Sequence, residues 1–212
     1  MQPGIVTLVE VQVKRADRVN VYLDDEYAFS LSSIVAEAVA LRPGTFLSAD
    51  NIAHLLENDA FQKATDTALA FLAYRPRSER EVRQNLQRKR IPESLIDRVV
   101  HRLREMRLID DAAFAQFWLQ NREAFSPRGE KALRSELRRK GVDSGVVDHV
   151  LDGSIDEATA AYAAAQRKAR LLRNLDDYKS FYRRLGGYLI RRGFAYEIVK
   201  STVDKCWRER GQ

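Results

Sequence analysis

Three stretches of this 212-residue chain carry one pattern. Leu86-Gln87-Arg88-Lys89-Arg90-Ile91, Leu137-Arg138-Arg139-Lys140-Gly141-Val142 and Leu189-Ile190-Arg191-Arg192-Gly193-Phe194 each place a leucine, a basic run and an apolar residue at matching offsets. The anchoring leucines are 51 and 52 residues apart, and the likeness continues to Val100, Leu151 and Val203. Upstream, Val82, Leu133 and Leu185 each stand four residues before an anchor. Apolar positions that recur at such an interval belong to units that bury their faces partly against one another. Each unit reads as three helices: one leading in, one ending at the basic run, one after it. The expected architecture is mainly α, with three tandem three-helix repeats over 48–109, 110–153 and 154–212 forming an elongated, curved array.

Before the repeats lies a segment of residues 1–47, of which the first 31 alternate with period two. Val9, Val11 and Val13 share one face, as do Val19, Val21 and Leu23, then Tyr27, Phe29 and Leu31. Three-residue turns at Arg15-Ala16-Asp17 and Asp24-Asp25-Glu26 would pair Val13 with Val19, Val11 with Val21, Leu23 with Tyr27 and Val21 with Phe29. The expectation is a three-stranded antiparallel β-meander with one buried face. A short helix over about Ser33 to Leu41 follows, stopped by Arg42-Pro43-Gly44. Ser48 and Ser78 are placed to cap helices, Pro92 to open one, and Asp110 and Asp111 to cap the next. Gly186-Gly187 reads as an interruption that permits a bend.

The apolar fraction of 45% excludes a disordered chain, and no stretch approaches the roughly 20 uncharged apolar residues of a bilayer span. Met1 to Glu10 lacks the basic region and apolar run of a secretory signal, and the lone Cys206 excludes a disulfide framework. A soluble cytoplasmic protein is expected. Charge is asymmetric: residues 1–66 sum to −5 and residues 67–212 to +11, with 27 arginines against 9 lysines overall. Such a basic region suggests an anionic partner, either nucleic acid or an acidic protein surface; the alternative is a solvated helical surface with an Arg-rich codon bias.

No catalytic constellation emerges. His54, His101 and His149 are isolated, and Gly129-Glu130-Lys131 lacks the remaining residues of a phosphate loop. Asp24-Asp25, Asp110-Asp111 and Asp176-Asp177 read as turns or caps, and Cys206 as a packing residue. Phe114, Phe117, Trp118, Tyr178, Phe181, Tyr182, Phe194 and Tyr196 fall at helical spacing and read as core. Neither a cofactor, a metal nor an enzymatic activity is expected.

The candidate site is the basic run itself: Arg88, Lys89 and Arg90, then Arg138, Arg139 and Lys140, then Arg191 and Arg192. One reading makes these cations caps for helix C-termini, with Gly141 and Gly193 in the left-handed conformation; Arg90, in place of glycine, then requires a tighter or different cap. The other has the three clusters line one edge and face an anion or acidic surface. The two are compatible. Reversing Arg138, Arg139 and Lys140 to Glu is expected to weaken partner binding and leave helical content nearly intact, as followed by circular dichroism.

Taken together, the Val21 to Leu31 segment, Ala68-Leu69, Arg75-Pro76-Arg77-Ser78-Glu79-Arg80-Glu81-Val82, Leu86 to Lys89, Leu108-Ile109-Asp110-Asp111 with Phe114-Ala115, and Ser126-Pro127-Arg128-Gly129 with Leu133, Leu137 and Gly141 resemble the RecX family, regulators of the RecA recombinase. Arg90 and Asp25 depart from the glycines that the family tends to have there. The resemblance implies a protein that lies in the groove of the RecA–DNA filament and suppresses its ATPase, strand-exchange and co-protease activities, its basic clusters touching acidic RecA surfaces, DNA phosphate or both. A monomer that binds single- or double-stranded DNA weakly is expected. The alternative is a stand-alone DNA-binding module built of helix-turn-helix-like units. Against it, Glu93 to Leu103 and Asp143 to Leu151 are mixed or acidic rather than rich in base-reading side chains.

Overall fold

The computed structural model describes residues 1–211. Contacts divide the chain into two compact units: one of Met1–Arg75 with Arg83–Glu105, the other of Pro76–Val82 with the chain from Met106 onwards.

In the first unit the alternating segment forms β1 (Gly4–Gln12), β2 (Arg15–Leu23) and β3 (Glu26–Ser32), followed by α1 (Ser33–Ala38) and β4 (Phe46–Leu47). The sheet is antiparallel in the order β3-β2-β1-β4, four strands rather than the expected three. The fourth arises because Gly44 turns back with φ +90 and donates to the Val6 carbonyl at 2.7 Å, while Val6 N–H donates to Thr45 at 2.8 Å. Two pairings also differ. At the first hairpin Val11 opposes Val19 and Val9 opposes Val21, so Val13 lies in the turn and is fully exposed. A two-residue slip leaves every side chain on its face, so alternation cannot distinguish the registers. At the second hairpin Asp24 and Asp25, with φ +48 and +69, make a two-residue turn that pairs Leu23 with Glu26 and Tyr22 with Tyr27. A bulge between Val21 and Tyr22 restores the expected Val21–Phe29 pair.

The buried face of this sheet, including Val6, Val21 and Leu31, packs with Ile52 and Leu55 of α2 (Ala49–Leu72). Ser48 caps α2 as anticipated, in a reciprocal capping box with Asn51. One charge pair lies within the apolar layer. Arg18 of β2 reaches Asp59 of α2 at 3.3 Å, with both side chains almost fully buried. Asp59 also accepts the Ser32 N–H at 2.6 Å and pairs with Lys63 at 2.6 Å, while Arg18 donates to the Ser30 carbonyl at 2.8 Å. α4 (Glu93–Glu105) buries Ile96, Val99, Val100 and Leu103, and its Arg98 pairs with Glu57 of α2 and stacks over Phe61.

α3 (Glu79–Arg88) buries Val82 and Leu86. In the second unit α5 (Asp111–Phe125), α6 (Glu130–Arg139) and α7 (Ser144–Leu151) enclose Phe114, Leu133, Leu137 and Val147. α8 (Glu157–Ala169), α9 (Tyr178–Arg191) and α10 (Tyr196–Arg208) enclose Phe181, Leu185, Leu189, Val199 and Val203. The chain is thus mainly helical, with three-helix repeats after a small sheet. α9 runs unbroken through Gly186-Gly187, contrary to the expected interruption: Gly186 is buried, where α10 passes close by at Val199. None of the described helices is long and apolar enough to cross a membrane.

Burial pushes the Asp59 carboxyl up, but Lys63, the Ser32 N–H and Arg18 outweigh it and hold its pKa below the usual carboxylate range. Asp59→Ala leaves Arg18 buried without a counter-charge and is expected to remove about 3–5 kcal/mol, read as a lower urea midpoint. The unfolded carboxyl titrates near 3.9 and the folded one lower, so this contribution is present above about pH 4 and is lost as pH falls through the depressed folded value. A midpoint unmoved by the substitution would remove the pair from the account.

Candidate partner-binding site

Each basic run ends a helix in the same way. The residue after the anchor's neighbours folds back: Ile91, Val142 and Phe194 donate N–H to the Leu86, Leu137 and Leu189 carbonyls at 3.2, 3.1 and 3.4 Å. Arg90, Gly141 and Gly193 donate to Gln87, Arg138 and Ile190 at 2.8, 3.0 and 2.9 Å, all with positive φ (+60, +86 and +83). This double pattern is the Schellman cap, repeated three times. Arg90 therefore does not force a different cap, as its sequence suggested. It takes the glycine conformation and bears the cost, about 1 kcal/mol for a residue with a Cβ.

The glycines answer to a second constraint. A Cβ on Gly141 would lie 2.5 Å from the Cβ of Arg80, and one on Gly193 would lie 2.5 Å from the Cβ of Ala132. Arg80 and Ala132 belong to the first turns of α3 and α6. The C-terminal end of α6 thus meets the start of α3, and the end of α9 meets the start of α6. Ser78 Oγ donates to the Lys140 carbonyl at 2.7 Å, and Gly129 N–H donates to the Arg192 carbonyl at 3.0 Å. Gly129 can carry no side chain, because a Cβ there would collide with the Gly193 carbonyl. These are equivalent joints one repeat apart, each matching the negative end of one helix to the positive end of another.

Two of the eight candidate cations are fastened inside these joints. Lys140 Nζ pairs with Glu81 at 2.6 Å and lies 5.0 Å from the centre of the Trp118 ring, with its side chain 29% exposed. Trp118 in turn donates to Glu136 at 2.9 Å, and Arg122 pairs with the same carboxylate at 2.8 Å. Arg192 donates to the Pro127 carbonyl at 2.9 Å and stacks 4.6 Å over Tyr188. The other six, Arg88, Lys89, Arg90, Arg138, Arg139 and Arg191, are exposed. Arg88 and Arg139 bond back to the Gln84 and Ser135 carbonyls of their own helices at 3.1 and 3.4 Å. Since Lys140 ends α6 and Arg192 docks at its start, the second and third clusters stand about one ten-residue helix, or 15 Å, apart.

Three aspartates and the cysteine have local roles. Asp110 caps α5 through Ala112 and Ala113, Asp111 accepts the Glu79 N–H at 2.9 Å, and Asp177 caps α9. Cys206 is buried, and burial pushes its thiol up to about 11. No group of His, Cys, Asp and Glu among the described residues is arranged to hold a metal ion. Sequence reasoning missed Ser78, Glu81, Trp118 and Gly129 as joint residues. A signal existed in the Ser78-x-x-Glu81 box and in the glycines at equivalent positions of successive repeats.

Because Lys140 couples repeats, it is a poor probe of partner binding. Lys140→Glu is expected to lower stability by about 1.5–3 kcal/mol, the range for a charge-assisted hydrogen bond, whereas exposed Arg139→Glu stays within about 1 kcal/mol. Urea denaturation of both variants measures this, and equal losses would sink the joint assignment.

Comparison with known proteins agrees with this architecture. Residues 4–46 match the N-terminal domain of regulatory protein RecX, and residues 64–103, 110–151 and 155–203 match the RecX first, second and third three-helix domains. Regulatory protein RecX of Halalkalibacterium halodurans is 32% identical over 204 residues, spanning 94% of this chain and 77% of that protein. Its counterpart from Clostridium acetobutylicum is 27% identical over 215 residues and 99% of both chains. A crystal structure of regulatory protein RecX superposes with a TM-score of 0.75 at 28% identity, covering 95% of this chain and 99% of that one. With the sheet domain and all three three-helix domains matched and a relative 32% identical along nearly the whole chain, the chain belongs to the RecX family of regulatory proteins.

Proposed function

We propose that this chain is a non-enzymatic regulator of the RecA recombinase, a cytoplasmic monomer that binds in the groove of the RecA–DNA filament and suppresses its ATPase, strand-exchange and co-protease activities. The observation that carries the reading is the recurrence of one exposed basic helix end in successive units of a RecX-family chain. A filament presents identical sites at a fixed rise, so modest contacts from each unit reinforce one another through effective concentration. In this reading the segments 1–47, 48–109, 110–153 and 154–212 act as successive modules. Arg88, Lys89, Arg90, Arg138, Arg139, Lys140, Arg191 and Arg192 are the partner-binding cations, with Lys140 and Arg192 also holding the joints of their helix ends. DNA contact is weak and secondary.

The test is RecA's hydrolysis of ATP on single-stranded DNA, titrated with this protein below one copy per RecA, with binding to bare DNA measured in the same buffer. Inhibition at concentrations well under the bare-DNA dissociation constant is expected. Unaffected hydrolysis beside tight DNA binding, with a salt slope of roughly −0.7 per neutralised single-strand phosphate, would assign the chain to the DNA-binding alternative.

A further inference from the structure

The two interior joints use every feature of a middle-helix end: the Schellman cap, a cation at its last position, the last carbonyl oxygen and a left-handed glycine. α3 ends in the same cap, with Lys89 in the place of Lys140 and Arg192. There, however, no donor among the described residues reaches the Lys89 carbonyl oxygen, and the exposed side chains of Lys89 and Arg90 have no hydrogen-bond or ion-pair partner among them. Arg90 adds a Cβ where both interior joints leave no room for one, in a backbone conformation that arginine adopts only at a cost. The substitution keeps a further unit of the same kind from closing on α3 and presents a guanidinium instead.

We infer that this end of α3, formed by Arg88, Lys89 and Arg90, is the principal protein-docking surface of the chain, and that its occupant is a partner helix N-terminus carrying carboxylates in its first turn. The partner's identity rests on the RecA reading; the location and chemistry come from the joints. An occupant must offer a donor to the Lys89 carbonyl together with carboxylates for three cations. A helix start supplies both, since its first N–H groups are unpaired and acidic residues favour it. The chain demonstrates the pairing internally, where Ser78 and Glu81 at the start of α3 take the Lys140 carbonyl and ammonium at 2.7 and 2.6 Å. A phosphate backbone offers acceptors only, and would face an open carbonyl at the negative end of a helix. The remaining exposed cations, Arg138, Arg139 and Arg191, are auxiliary.

The experiment uses the full chain and three variants: Arg88→Glu/Lys89→Glu/Arg90→Glu, Arg138→Glu/Arg139→Glu, and Arg90→Gly. Inhibition of RecA's ATPase on single-stranded DNA is read beside thermal unfolding and poly(dT) binding. The first variant is expected to raise the concentration for half-inhibition at least tenfold and the second about threefold or less, with poly(dT) affinity reduced alike in both. Arg90→Gly separates docking from folding: it raises the unfolding temperature by a few degrees yet weakens inhibition about threefold. Equal losses in the two charge-reversed variants, or an Arg90→Gly variant that is more stable and inhibits as well as the parent, would overturn the inference.

A second arm is independent of RecA. An acetylated helical peptide beginning Ser-Glu-Glu-Glu, added to the isotope-labelled chain, should shift the amide resonances of residues 87–91. Shifts confined to residues 138–142, or none, count against the docking surface. If the parent protein fails to inhibit RecA while the peptide shifts residues 87–91, the RecA reading falls and the docking surface stands.

Discussion

The second unit depends on a contact between helix ends. A carbonyl at the C-terminus of one middle helix is met by a hydroxyl or N–H at the N-terminus of another, Lys140 by Ser78 and Arg192 by Gly129. Helix termini are the places where backbone groups lack partners within their own helix. Joining opposite ends satisfies groups of both and aligns opposite partial charges. The approach is close enough to exclude a Cβ at Gly129, Gly141 and Gly193, which is why glycine recurs there. One requirement of backbone chemistry accounts for the glycines, the capping serine and the cation after each anchor.

That requirement changes the meaning of the basic runs. Read along the sequence, Arg138-Arg139-Lys140 is a single patch; in the fold it is two exposed arginines and one lysine turned inward to Glu81 and Trp118. Arg191-Arg192 divides in the same way, with Arg192 drawn to Pro127 and Tyr188. The cation at the last helical position stabilises the negative helix end, holds the neighbouring repeat and shields an aromatic face at once. In the first repeat the position is kept, as Lys89, while the joint is not.

The first unit rests on different physics. Its sheet and long helix are pinned by Arg18 and Asp59, a nearly dry ion pair in which the carboxylate also accepts a backbone N–H and a lysine. Such a pair adds little net stability over an apolar one, but removing either member leaves an uncompensated charge.

Much of this was legible from residues alone: the strands, the helix starts at Ser48, Ser78 and Asp110, the three-helix repeat and the basic helix ends all follow from periodicity, cap chemistry and self-similarity, which are local properties of the chain. Pairing register was not legible, because a two-residue slip preserves alternation, so Val11 rather than Val13 faces Val19. Nor was the two-residue strand at Phe46, too short to carry a period. The unbroken course of α9 through Gly186 was not legible either, and the separation of Lys140 from Arg139 depends on a helix start 59 residues earlier, at Glu81. The sequence by itself determined the first three strands, the capped helix starts and the basic helix ends, since those choices are made by near neighbours. Only the tertiary structure decided which cations are left to a partner, because that depends on which helix ends meet.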